Sequence, residues 1–311
     1  MTSSLRYAYL GIILTTFFWG TNFNAGAYII RFMSPITAAT ERFVIATLLL
    51  VVIFGGLGRL RLTALKQNLL PFIAIGLLGV VGFNMAMFFG LQSTTPINGA
   101  LIMATTPLTT LALAYVFERE QMTLHKVIGL IFGLAGVILV ITHGDLMHLL
   151  TLKIAHGDVM ILAGSVSFSL TTIISRRFVV EATPLETTTF SMLFGTLILV
   201  ILSLIFEHPL TMITAMPVSV HIALLYLAFF GSMIAYLFWF NGIRHIGSSR
   251  AAAFFNLVPV FTMLVSIIFG ALPNIWQILG TLGVIIGVIF TTGAIQKRKA
   301  TSLSPPKTAN T

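Results

Sequence analysis

Long apolar runs separated by short polar breaks organise the chain from its first residues to near its last. The runs fall at about 7–30, 36–56, 70–90, 96–117, 124–142, 157–175, 185–206, 218–240, 250–271 and 275–295. Turn and charge signals mark the breaks: Pro35, Gly58-Arg59, Pro96, Glu118-Arg119-Glu120, Gly144-Asp145, Arg176-Arg177, Pro209, Arg244-His245 and Pro273-Asn274. A bilayer core about 30 Å thick is crossed by about 20 apolar helical residues. The pattern therefore predicts an all-α membrane protein of about ten transmembrane helices joined by short loops. The first run, from Tyr7 to about Ile30, exceeds a signal-peptide core and no small-residue cleavage pattern precedes Arg31, so it reads as a retained helix.

The runs also repeat. Phe88-Phe89-Gly90-Leu91 aligns with Trp239-Phe240-Asn241-Gly242-Ile243 at the shared glycine, and in the same register Gly99-Ala100 falls on Ala251-Ala252, Pro107 on Pro259 and Phe117 on Phe269. One residue out of step, Gly129 and Gly136-Val137-Ile138 fall on Gly280 and Gly287-Val288-Ile289; nearer the start of each half, Trp19 falls on Phe168 and Pro35 on Pro184. This divides the chain into a first repeat over 1–146, a second over 147–296 and a polar, disordered tail over 297–311. Each repeat holds five spans, an odd number, so the second copy is expected upside down. Inverted repeats of this kind are characteristic of secondary transporters, with the site near the midplane between halves.

Composition fits lipid as the solvent: 57% of residues are hydrophobic and 8% charged, against about 25% charged in soluble domains. The net charge of +9 sits in the breaks, a pattern that encodes orientation and not nucleic-acid binding. Counted by alternating sides, Arg6, Arg59, Arg61, Lys66, Arg119, Lys126, Arg176, Arg177, Arg244, Arg250, Lys297, Arg298, Lys299 and Lys307 share one side, against Arg31 and Lys153 on the other. Both termini are thus expected in the cytoplasm, with the basic tail against anionic lipid. The lack of cysteine excludes disulfides, thiolate metal sites and cysteine nucleophiles.

Polar residues inside apolar runs carry the candidate chemistry, because lipid makes them costly. Asn22 and Asn24 lie near Trp19 in the first run, Asn84 in the third, Tyr236 and Trp239 in the eighth and Asn256 in the ninth. Asn84 and Tyr236 are repeat equivalents, as are Trp19 and Phe168, and Met103 and Phe255, so a pseudo-twofold axis would bring them to one cavity. Trp19 with Phe23, and Asn84 with Phe88, are four apart and share helix faces. Such a surface suits an amphipathic metabolite. Glu41-Arg42, just inside the second run, reads as an opposite-charge pair near the external interface, with Glu41 the candidate for proton coupling. Glu120 reads as a helix-start acid. Pro107 and Pro259 are expected to kink the fourth and ninth helices as hinges. Gly129, Gly133 and Gly136, and Gly280, Gly283 and Gly287, read as packing seams within or between protomers. His143, His148 and His156 read as loop residues; no zinc-ligand spacing, phosphate cradle or nucleophile elbow is present.

The first-span Phe18-Trp19-Gly20-Thr21-Asn22-Phe23, the second-span Glu41-Arg42-Phe43, Gly99-Ala100 leading to Pro107, and Glu120 followed by Gly129 and Gly136 resemble the EamA family of the drug/metabolite transporter superfamily. The resemblance runs from about Tyr7 to Thr292. It implies a ten-helix carrier of the bacterial inner membrane, exporting amino acids or related metabolites, with a cavity lined by helices 1, 3, 4, 6, 8 and 9. Family members often repeat the acid of Glu120 in the second half; here the Ala271-Leu272 region is apolar. The expected partners are a small-molecule substrate and the bilayer, with no cofactor and no catalysis, in a monomer or homodimer. An exporter of hydrophobic cationic drugs, dependent on Glu41, is the alternative.

Overall fold

Three helices open on a hydroxyl residue followed by proline: Ser34-Pro35, Thr95-Pro96 and Thr183-Pro184. The hydroxyls accept from the backbone N–H three residues on (Thr37, Asn98 and Glu186), while each proline takes a first-turn position where no N–H is needed. In the computed structural model these starts and their apolar runs give α1 (Ser3–Ile29), α2 (Pro35–Gly55), α3 (Leu69–Gly90), α4 (Pro96–Glu118), α5 (Leu124–Ile141), α6 (His156–Arg177), α7 (Pro184–Phe206), α8 (Val218–Ile246), α9 (Ser248–Ile268) and α10 (Ile275–Thr291). A short helix, Leu62–Gln67, precedes α3. The structure describes residues 3–119, 121, 123–142, 144–145, 155–207 and 216–291, all helix, turn or coil with no strand. Glu120, His143, His148, Lys153, the expected repeat boundary at 146–147 and the tail from Lys297 lie outside the described residues.

By length and composition, α2, α3, α4, α6, α7, α8 and α9 can each cross a membrane; α5 and α10 contain shorter apolar segments, Leu124–Gly136 and Ile275–Gly287. Their outer faces carry large apolar side chains such as Leu70, Leu204, Ile222 and Ile268, whereas threonines and serines fill much of the interior. That distribution suits a protein whose surroundings are as apolar as its core.

The packing is reciprocal. α1 lies against α8 and α9, and α6 lies against α3 and α4. α2 pairs with α7, and α5 with α10. Glycine sets the last of these contacts: a β-carbon at Gly287 would stand 2.6 Å from the Gly129 carbonyl oxygen and 2.9 Å from the Gly133 nitrogen. The glycine seams therefore join two helices of one protomer.

The two prolines do more than kink. α4 ends a segment at Met103 and restarts over Thr106–Glu118, while α9 passes through a 3₁₀ turn, Phe254–Leu257, before restarting over Val258–Ile268. Pro107 and Pro259 occupy the first turn of the restarted pieces, so each marks a break and not a bend within one continuous helix. Both breaks are tied to a neighbour by hydroxyls. Ser165 of α6 meets Thr105 and Thr106 at 2.9 and 3.0 Å. Thr262 of α9 donates to Gly20 O at 2.9 Å.

α3 and α8 are interrupted differently, by π-helical turns over Gly76–Gly82 and Leu227–Ile234. π-turns loosen the regular carbonyl ladder and recur at functional positions.

Candidate functional site

Trp19 of α1, Phe168 of α6, Tyr236 and Trp239 of α8 and Phe255 of α9 converge at the centre of the bundle. Trp19 stands 5.2 Å from Phe168, 5.7 Å from Tyr236 and 5.1 Å from both Trp239 and Phe255, ring centre to ring centre. Phe168, Trp239 and Phe255 are within 5.1–5.4 Å of one another. Most of these pairs are tilted or edge-on, the arrangements that the ring quadrupole favours. Phe83 and Phe43 extend the cluster through Phe168 and Tyr236. All five central rings are buried.

The polar atoms around the rings are organised on the two π-turns. Gly231 O accepts from Trp19 Nε1 and from Arg42 Nη2, each at 3.0 Å. Gly79 O accepts from Tyr236 Oη at 2.9 Å and from Asn84 Nδ2 at 3.2 Å. Gly79 and Gly231 have the same sequence separation as Asn84 and Tyr236, so equivalent carbonyls of the two halves receive side chains from across the bundle.

Arg42 is almost wholly buried. Its Nε donates to Ser232 Oγ at 2.7 Å and its Nη1 to Asn84 Oδ1 at 3.1 Å. The Asn22 carboxamide, turned so that its nitrogen faces Phe18 O at 3.0 Å, presents its oxygen to Arg42 Nη2 at 2.9 Å. Glu41 is not among these partners. Adjacent helical residues point about 100° apart, so the charges diverge: Arg42 turns to the centre, while Glu41 lies toward His221 with one carboxylate oxygen unpartnered. The expected Glu41–Arg42 pair does not form. Five more buried atoms lack a hydrogen-bond partner among the described residues: Trp239 Nε1 and Asn256 Oδ1 near the rings, and the hydroxyls of Thr110, Thr189 and Ser203 elsewhere.

Not every residue singled out in the sequence reaches the cluster. Phe23 packs against Gly99 and Phe88 against Gly26. Both are buried, but one turn along from Trp19 and Asn84 they belong to the next layer. Asn24 faces α9, donating to Thr262 O at 3.1 Å and accepting from Ser266 Oγ at 2.7 Å. Met103 is buried in the same core at the end of the first α4 segment.

Both ends of the α2–α7 pair are clamped. At the basic end, Arg61 Nε meets Glu186 Oε1 at 2.7 Å, and Glu186 also closes a capping box with Thr183 at the start of α7. At the far end, the Glu207 carboxylate accepts from Ser34 Oγ and Thr37 Oγ1, and from Thr37 N at 2.9 Å. A cleft of about 200 Å³ opens at the basic end, lined by Ser175, Arg176, Glu181, Thr187, Phe240 and Arg244 among others. One of its lining residues, Phe240, packs on Tyr236 of the aromatic cluster at 6.1 Å.

Broken helices and buried polar groups within an apolar helical bundle define a multi-pass membrane protein, and the family it matches is one of transporters, not enzymes. The EamA-like transporter family model matches residues 6–142 and again 155–293. The chain belongs to that family. It is 38% identical over 288 residues to the uncharacterized transporter YyaM of Bacillus subtilis, covering 93% of this chain and 94% of the relative. An uncharacterized transporter of Archaeoglobus fulgidus is 26% identical over 265 residues, covering 84% and 90%. Among solved structures, one crystal structure of a protein 18% identical superposes with a TM-score of 0.69, over 96% of this chain and 99% of that one, which shows the shared fold.

Proposed function

We propose that the protein is a secondary transporter of the bacterial inner membrane that exports amino acids or related small metabolites by alternating access. In this reading α1 to α10 are ten spans in two inverted five-helix halves, 1–146 and 147–296, with both termini in the cytoplasm. The basic end, with its cleft, then faces the cytoplasm. The carrying observation is the convergence of Trp19, Phe168, Tyr236, Trp239 and Phe255 from both halves, beside an unpartnered donor at Trp239 Nε1 and an unpartnered acceptor at Asn256 Oδ1. Aromatic faces with a few convergent polar groups suit an amphipathic metabolite. Rocking of the halves exposes this centre first at one end and then at the other. Arg42 in its wall weighs against the alternative of a hydrophobic cationic drug.

Flux of labelled amino acids into liposomes, with and without a pH gradient, tests the reading. Saturable flux is expected, lost in both Trp19→Ala and Asn84→Ala, with gradient dependence deciding whether protons are coupled. Wild-type flux no greater than in empty vesicles across the panel refutes it, as does full activity in both variants.

A further inference from the structure

Arg42 is a fixed positive charge without an anion. No carboxylate lies within ion-pair distance of it among the described residues; its partners are a hydroxyl, two carboxamides and a backbone carbonyl. Burying a guanidinium at membrane depth is costly even when its hydrogen bonds are made, because neutral acceptors return only part of the lost hydration. A neutral amide could tie α2 to α8 without that cost, so the charge itself requires an explanation.

Three further features surround it. These four bonds leave one of the five guanidinium N–H groups without an acceptor among the described residues. Gly231 O holds two donors at once, so Arg42 Nη2 can turn to a new acceptor while Trp19 Nε1 keeps that carbonyl satisfied. Trp239 Nε1, fully buried on a ring that touches Trp19, has no acceptor among the described residues. A cation with a spare donor, an exchangeable bond and an idle N–H on the same cluster together describe an anion receptor. The cleft at the basic end is lined by Arg176 and Arg244 against one acid, Glu181.

Resting on the transporter reading above, we propose that Arg42 is the counter-charge for a carboxylate on the transported metabolite, which docks on the Trp19–Trp239 rings with its anionic group toward α2. The guanidinium fork matches the two carboxylate oxygens. Cargo in which that group is neutral leaves the buried charge unbalanced and is rejected.

The chain has three tryptophans, and two of them are in the cluster, so the Trp276→Phe protein reports on the site through its own fluorescence. Four probes of similar shape are titrated into it: 3-phenylpropionate, phenylalanine, phenylalaninamide and phenethylamine. The two acids are expected to bind at least about 10-fold tighter than the amide and the amine, a step of about 1.4 kcal/mol. Arg42→Gln should bring the acid-to-amide ratio close to one, and Arg42→Lys should restore part of it. A purely structural Arg42 would weaken all four probes together and leave the ratio unchanged. Equal binding of acid and amide by the protein with Arg42 intact, or no response to any probe, overturns the assignment without needing the variants to fold. Liposome flux separates the two levels: transport of the amide as fast as the acid removes the Arg42 role but leaves a transporter, whereas no flux of any metabolite removes both.

Discussion

Glu207→Gln is expected to open the far end of the bundle. The carboxylate ties α7 to α2 at that end by accepting from Ser34 Oγ, Thr37 Oγ1 and Thr37 N, and it stands at the positive N-terminus of α2. Glutamine keeps the shape and one acceptor oxygen but loses the charge. Hydrogen bonds to charged groups contribute about 1.5–3 kcal/mol, and neutral ones about 0.5–1.5. Glu207 is half-buried, so solvent screening reduces the gap, leaving about 1–2 kcal/mol for the set. If the clamp is made only in the state closed at the far end, that is a shift of roughly 5- to 30-fold toward the state open there. The chain has no cysteine, so Met103→Cys gives a single reporter beside the site with no background. Labelling by a membrane-impermeant maleimide from the far side should accelerate by that factor when Glu207→Gln is added, and labelling from the basic side should fall. Unchanged far-side labelling would show that the clamp does not hold the closed state.

Two glycine substitutions separate scaffold from site. Gly287→Ala pushes a methyl into the backbone of α5, where no side chain can yield, and should cost about 1–3 kcal/mol of stability; a lower melting temperature in detergent with an unchanged KM is expected, and a changed KM would place the α5–α10 seam in the transport cycle. Gly231→Ala sets a methyl on the Asn22 carboxamide and displaces it from Arg42. Here flux should fall more than 10-fold with a smaller loss of stability, and near-normal flux would show that the Asn22–Arg42 contact is dispensable.

The repeat register made the pairing of Trp19 with Phe168 legible: the two equivalent positions stand 5.2 Å apart, ring centre to ring centre. Pro107 and Pro259 likewise revealed that α4 and α9 are interrupted, though not that each restarts as a new helix. Adjacency in sequence misled at Glu41-Arg42, where consecutive side chains on a helix leave in different directions. Four-residue spacing placed Phe23 and Phe88 on the right faces but about 6 Å further along the axis, which puts them in the next layer. The Glu186 clamp had a signal that sequence reading passed over: Thr183 followed three residues later by an acid is a capping box. Glu207 had none, since its partners lie across the bundle on α2. The π-turns were equally hidden; Gly76, Gly79 and Gly82 hint at one, but Gly231 stands alone in the other.

Those turns also make the two halves unequal in how they can part. Gly79 O is held by Asn84 of its own helix as well as by Tyr236 from α8, so moving α8 away leaves it satisfied. Gly231 O is held by Trp19 and Arg42, both from the other half, and separating α1 and α2 from α8 strips it of both. A buried carbonyl left without a donor costs about 1–3 kcal/mol. Opening between α3 and α8 therefore leaves Gly79 O satisfied and strands only the Tyr236 hydroxyl, whereas opening between α1, α2 and α8 requires water to reach Gly231 O. The same separation frees the Arg42 fork from Gly231 and Ser232, so the movement that uncovers the carbonyl also presents the cation. Equivalent positions built alike in sequence thus give one face whose carbonyl keeps a donor on parting and one whose parting is coupled to hydration of a charged site.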